Sequence, residues 1–230
     1  MIRVLGGGAA KGITTALGPE IEAATGLAVD GDYGPVGGMR DRIIGGEVAD
    51  LVILSRSLVE ELAVQEHVLP DSMVDIGNVA TGIAVRETDS DALCATQDDL
   101  REILLGSDAV FFPDPEQATA GIHFVNVMKK LGIYETLSNR FQTFPGGIPA
   151  MAAMARSDLI RPIGCTQVTE ILGTAGVKLS GLLPDGCDLV TTYTAGVTTR
   201  ARNPAAARTM IEILASPDAA SERSAIGFTK

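Results

Sequence analysis

Short apolar runs alternate along the chain with stretches whose apolar positions recur every three or four residues. Strands and helices taking turns in this way predict an α/β fold with a largely parallel sheet flanked by helices. The strands read as Ile2–Leu5, Leu27–Asp32, Leu51–Leu54, Val79–Arg86, Ala109–Phe112, Phe141–Phe144, Leu159–Gly164 and Leu189–Thr199. The first helical stretch runs to Thr25, is interrupted at Pro19 and closes on Gly26 as a left-handed cap. Further helices are expected at Gly38–Ile44, Leu58–Glu66, Asp98–Leu105, Ala120–Leu131, Pro149–Arg156 and Thr166–Leu172. Two more finish the chain, each opening on a cap followed by proline, Asn203-Pro204 and Ser216-Pro217. No repeat or low-complexity linker interrupts the alternation.

Composition narrows the function. The 230 residues are 46% hydrophobic and 20% charged, an ordinary globular balance with core enough for one large domain or two small ones. A formal charge of −11 argues against a nucleic-acid surface, which needs a basic stripe. No apolar run is long enough to insert in a bilayer. Met1 stands at the start of a strand with no basic and apolar leader before it, so the protein is expected in the cytoplasm, or in the periplasm if a signal peptide has been removed. The three cysteines, Cys94, Cys165 and Cys187, have no metal or redox spacing.

The familiar catalytic motifs fail on inspection. Gly6–Gly12 has Lys11 where a dinucleotide fingerprint needs glycine, and it lacks the hydroxyl residue of a phosphate loop. No nucleophile elbow occurs. The two histidines, His67 and His123, are far apart and no cysteine joins them, so no metal or other cofactor is predicted. What remains is four turns of small residues between strand and helix: Gly6–Gly12, Gly34–Gly38, Thr119–Gly121 and Pro145–Ile148. Such turns bare backbone N–H groups at helix N-termini, where the dipole favours an anion, though glycines also serve merely to make tight turns.

The order of several segments resembles the molybdate-type (ModA-like) solute-binding proteins over nearly the whole chain. These are Ile21–Gly26, Ile43–Leu54, Asp114–Gly121, Met128–Ile133, Val177–Pro184 and Asn203–Arg208, with Ser216-Pro217 and Ile226–Phe228 beyond. The resemblance implies a type II periplasmic-binding-protein fold: one lobe of residues 1–78 plus 193–230, a second of 79–192, two hinge strands, and a small anion in the cleft. It also implies an ABC permease as partner if the protein is exported. The family's two hydroxyl donors fall at Ala9 and at Pro35 or Val36, its backbone amides near Ala120 and Ile148, and its tyrosine near Thr166. All three side-chain donors are therefore missing or replaced, which argues against molybdate.

Ala10-Lys11-Gly12, Leu54-Ser55-Arg56 and Gly82–Arg86 are similar to a branch that often lacks a signal peptide. Related aconitate isomerases imply that the fold can also host proton transfer on a di- or tricarboxylate. The expected ligand set is thus Ala9, Lys11, Val36, Ser55, Arg56, Ala120, Gly121, Ile148, Thr166 and Gln167. Lysine offers a point charge and arginine a planar fork for a carboxylate. Ser55, Thr166 and Gln167 serve equally well as helix caps. His123 is the acid/base candidate if the protein is an enzyme.

Overall fold

The computed structural model describes residues 1–230, and the chain divides into two compact units, Met1–Val79 with Thr191–Lys230 and Ala80–Val190. The chain passes from one unit to the other inside strand β4 (Val74–Arg86) and at the start of β9 (Val190–Val197).

In the first unit, β1 (Ile2–Gly7) lies parallel between β2 (Val29–Gly34) and β3 (Leu51–Ser55), and β9 closes the sheet antiparallel to β3. All five residues of β3 are buried, as expected of a strand covered on both faces. Around the sheet stand α1 (Lys11–Ala16), α2 (Gly18–Thr25), α3 (Val36–Ile44) and α4 (Arg56–Val64), with α10 (Pro204–Ala215) and α11 (Ala220–Ile226) from the chain's last stretch. Gly26 caps α2 at φ 71°, and Pro19 sits in the fresh first turn after α1 has ended.

Asn203 does not cap α10 with its side chain. Its amide instead joins the backbone N–H groups of Arg3, Arg202 and Asn203 on the buried carboxylate of Asp50. Nor does Pro217 open α11, which begins three residues later; Ser216 Oγ accepts from Ala219 N–H at 3.1 Å in a local turn.

In the second unit, β8 (Val177–Leu182) pairs antiparallel with β4, and β4 with β7 (Pro162–Gln167). From there β7, β5 (Ala109–Pro113) and β6 (Phe141–Phe144) run parallel. One face of the sheet packs Leu100, Leu104, Phe124 and Met128 from α5 (Gln97–Gly106) and α6 (Thr119–Lys130). The other packs Met151, Met154 and Ile171 from α8 (Gly147–Ala155) and α9 (Val168–Leu172). A four-residue helix, α7 (Tyr134–Leu137), was not expected.

The main displacement from the sequence pattern is at β7. Leu159 and Ile160 look like strand residues, yet Ile160 is 83% exposed and the strand begins at Pro162. Thr166 and Gln167 therefore end a strand, opposite Gly82 and Thr81, rather than open a helix.

Candidate functional site

The glycines after β1 have a different reason from tight turning. Gly6 and Gly7 are strand residues with ordinary backbone angles, and no positive φ occurs between Gly6 and Gly12. A Cβ on Gly6 would lie 2.8 Å from the Tyr33 ring; one on Gly7 would lie 2.7 Å from Val36 Cγ1 and 2.9 Å from Tyr193. The run is bare because side chains lie flat against it.

Around it the first unit places five expected residues. Ala9 is buried in the 3-10 turn Gly8–Ala10. Val36 turns its side chain onto Gly7 and opens α3, whose first turn continues Gly37-Gly38 and carries no side-chain cap. Only backbone N–H groups are on offer there. Ser55 ends β3, buried and without a cap bond to α4.

The two cations differ. Lys11 is exposed and makes no ion pair. Arg56 closes its fork on Asp75, through Nε at 3.1 Å and through Nη2, and Asp75 also accepts from Thr194 at 2.7 Å. With Asn78, Thr192 and Arg223 this pair lines a cavity of about 590 Å³ within the unit. Arg56 is a partnered cation and Lys11 a free one.

The second unit holds the starts of α6 and α8. Asp114 Oδ1 accepts from the N–H groups of Glu116 and Gln117, folding the loop after β5 so that α6 opens at Thr119 without a side-chain cap. Gly121 is obligatory here, since a Cβ would meet the carbonyl oxygens of Asp114 and Pro113 at 2.2 and 2.3 Å. Ala120, beside it, presents a first-turn amide.

His123 is anchored by its ring. Its Nε2–H donates to the Cys187 carbonyl at 2.7 Å, which pins the ring to the loop after β8 and leaves Nδ1 as the nitrogen without the proton. Cys94, Cys165 and Cys187 are all buried free thiols of the same core, and burial pushes each above its usual range.

The start of α8 contains what the sequence reading missed. Glu170, third residue of α9, is buried and reaches back to it. Thr166 Oγ–H donates to Glu170 Oε2 at 2.5 Å, and the N–H groups of Gly147 and Gln167 also donate to the carboxyl. Burial pushes the acid upward, against these three donors. Gly147 is bare because a Cβ there would lie 2.0 Å from Oε2 and 2.1 Å from Thr166 Oγ1. Half of a capping box, Gln167-x-x-Glu170, was the available signal, but glutamine at its head is not the hydroxyl residue that the pattern requires. Thr166 is thus a partner of Glu170.

Against known proteins, the profile of a bacterial extracellular solute-binding protein family matches residues 2–229. An aconitate isomerase of Pseudomonas sp. is 26% identical over 225 residues, 95% of this chain and 84% of its own. The molybdate-binding protein ModA of Escherichia coli is 27% identical over 126 residues, 55% of this chain and 48% of its own. The solved periplasmic molybdate-binding protein of Azotobacter vinelandii superposes with a TM-score of 0.83 at 18% identity, covering 100% of this chain and 99% of that one. The fold is that of the type II periplasmic-binding proteins.

Proposed function

We propose, from the premise that the chain belongs to the bacterial extracellular solute-binding protein family, that it binds a small di- or tricarboxylate or a comparable oxyanion. The observation that carries this reading is that α3 and α6 open without a side-chain cap, on Val36-Gly37-Gly38 and Thr119-Ala120-Gly121, and that α8 keeps the Ile148 N–H uncapped beside the Glu170 carboxyl. Backbone N–H groups and the helix dipole suit a negative ligand at each. Lys11, free of any carboxylate, adds a charge in the first unit. Arg56 contributes through its network with Asp75 and not as an open fork. If the protein is exported, an ABC permease is its partner; if not, it acts in the cytoplasm as a sensor or enzyme.

Molybdate is not the preferred ligand. Ala9 and Val36 offer no hydroxyl, and Thr166 spends its own on Glu170. Each lost donor bond costs roughly 1.5–3 kcal/mol when the partner is charged. The test is a thermal-shift and calorimetry series with citrate, trans-aconitate, sulfate and molybdate on wild type, Lys11→Ala and Arg56→Ala. We expect carboxylates to raise the melting temperature, Lys11→Ala to weaken them, Arg56→Ala to weaken them less, and molybdate to bind only above the micromolar range. Submicromolar molybdate binding, or no shift with any anion, overturns this reading.

A second reading is favoured by the aconitate isomerase relative, alike along most of both chains. Here the same anion is held while a proton moves between carbons. In heavy water, proton NMR of trans-aconitate with the protein distinguishes the two: deuterium enters the substrate only if there is chemistry. Loss of that exchange in His123→Ala would assign the base to Nδ1 of His123.

A further inference from the structure

The first turn of α8 is poor in donors. Pro149, its third residue, has no N–H, and the N–H of Gly147 is already given to Glu170. Ile148 alone has an N–H left for an outside anion. The α8 terminus thus holds an internal acid one residue from the amide that the anion-binding reading assigns to a ligand.

Glu170 is also electrically isolated. The elements packed most closely on α9 are β7, β8 and α8, and β4 approaches it at Gly82, its own Asp75 and Arg86 being paired with Arg56 and Asp89. Helix α8 carries no titratable residue. On β7 the titratable group is Cys165, which lies in the core on the opposite face of the sheet. On β8 it is Lys178, which alternates away from Val177 and Leu179 and pairs with Asp91 at 2.9 Å. No cation stands near to neutralise the Glu170 carboxylate; three neutral donors are all it has.

We propose that Glu170 couples anion binding to proton uptake: the start of α8 accepts an anion when Glu170 is protonated and rejects it when Glu170 is ionised. This rests on the anion-binding reading above. An ionised Glu170 puts a full negative charge on the same helix end as the ligand. Two anions on one turn, in a place that water screens weakly, repel strongly. The proton removes that repulsion, and bound anion in turn makes the proton harder to remove. The sign is fixed. Below the pKa of Glu170 in the free protein, affinity is full and no proton is taken up. Above it, affinity falls by up to about tenfold per pH unit and up to one proton enters with each anion.

The experiment is isothermal calorimetry with sulfate and with citrate near pH 8, where both are fully deprotonated, in Tris and in HEPES. Their different ionisation heats convert into protons taken up. Titrations across pH then follow the dissociation constant. We expect uptake by wild type, a dissociation constant that rises with pH, and loss of both in Glu170→Gln, which should bind equally well across the range. Thr166→Val provides the check if Glu170→Gln misfolds. Removing the hydroxyl that supports the carboxylate raises the pKa of Glu170, so the fall in affinity must begin at higher pH. Binding by wild type without proton uptake at any pH, uptake that survives in Glu170→Gln, or an unmoved midpoint in Thr166→Val overturns the coupling alone. If wild type and Glu170→Gln both bind neither anion at any pH, the anion-binding reading itself fails.

Discussion

An added methyl group at Gly147 would have to displace both the Glu170 carboxyl and the Thr166 hydroxyl. Overpacking of a closed interior typically costs about 1–3 kcal/mol. We therefore expect Gly147→Ala to lower stability by roughly that amount, read from the midpoint of urea unfolding. Gly147→Ala with Glu170→Ala should cost less than the sum of the two single changes, because the overlap with the carboxyl goes with the acid and the Thr166 hydroxyl is freed to turn away. Additive costs would mean that Gly147 is bare for another reason. A sequence seldom advertises this kind of constraint. Gly147 reads as one more turn glycine, whereas a neighbour 23 positions along the chain requires it.

At the scale of elements, periodicity locates nearly every strand and helix core, because a fully buried strand such as Leu51–Ser55 and an amphipathic helix such as Thr119–Lys130 differ in period. Their ends are less legible, being set by partners far away in sequence. Ile160 has the apolar side chain of a strand residue, but Arg86 takes its carbonyl and β7 starts beyond it. Before α10, the expected capping residue Asn203 yields to Asp50, a carboxylate from before β3 that holds three backbone N–H groups and the Asn203 amide.

Burial pushes Asp50 upward, yet the hydrogen bonds from Arg3, Asn203 and Arg202 outweigh it and hold the acid below its usual range. The group therefore stabilises the fold above the ordinary carboxylate range, and this contribution fades as pH falls through the depressed value. Asp50→Asn would set an amide against backbone donors, at a cost of about 2–3 kcal/mol. It should also flatten the acid side of the stability profile, measured by thermal unfolding at stepped pH. An unchanged acid limb would remove Asp50 from this role.

For the whole molecule, the α/β class and the resemblance to solute-binding proteins were legible because they depend on the order of many segments. The candidate site was legible only in part: Ala120, Gly121 and Ile148 stand at helix starts as expected, and Arg56 proved to be partnered by Asp75 through folding that no local pattern records. Glu170 was hidden altogether, within a short apolar helix.

One feature of the chain's division reaches beyond ligand binding. Residues Ala80–Val190 form a unit from a single uninterrupted stretch, while the other unit needs β9 and the last two helices to complete its sheet and cover. During synthesis, the uninterrupted unit has all its strands before β9 has left the ribosome. The other must wait with β3 lacking an edge partner, and its contacts span most of the chain. Refolding should follow the same order. In pulse-labelled hydrogen exchange, amides of β5 and β7 should gain protection before those of β3 and β9. Simultaneous protection throughout, or β3 leading, would show that the interrupted unit does not limit the rate. A nascent chain paused just short of β9 is then the most aggregation-prone species this protein forms, with its most apolar strand uncovered along one side.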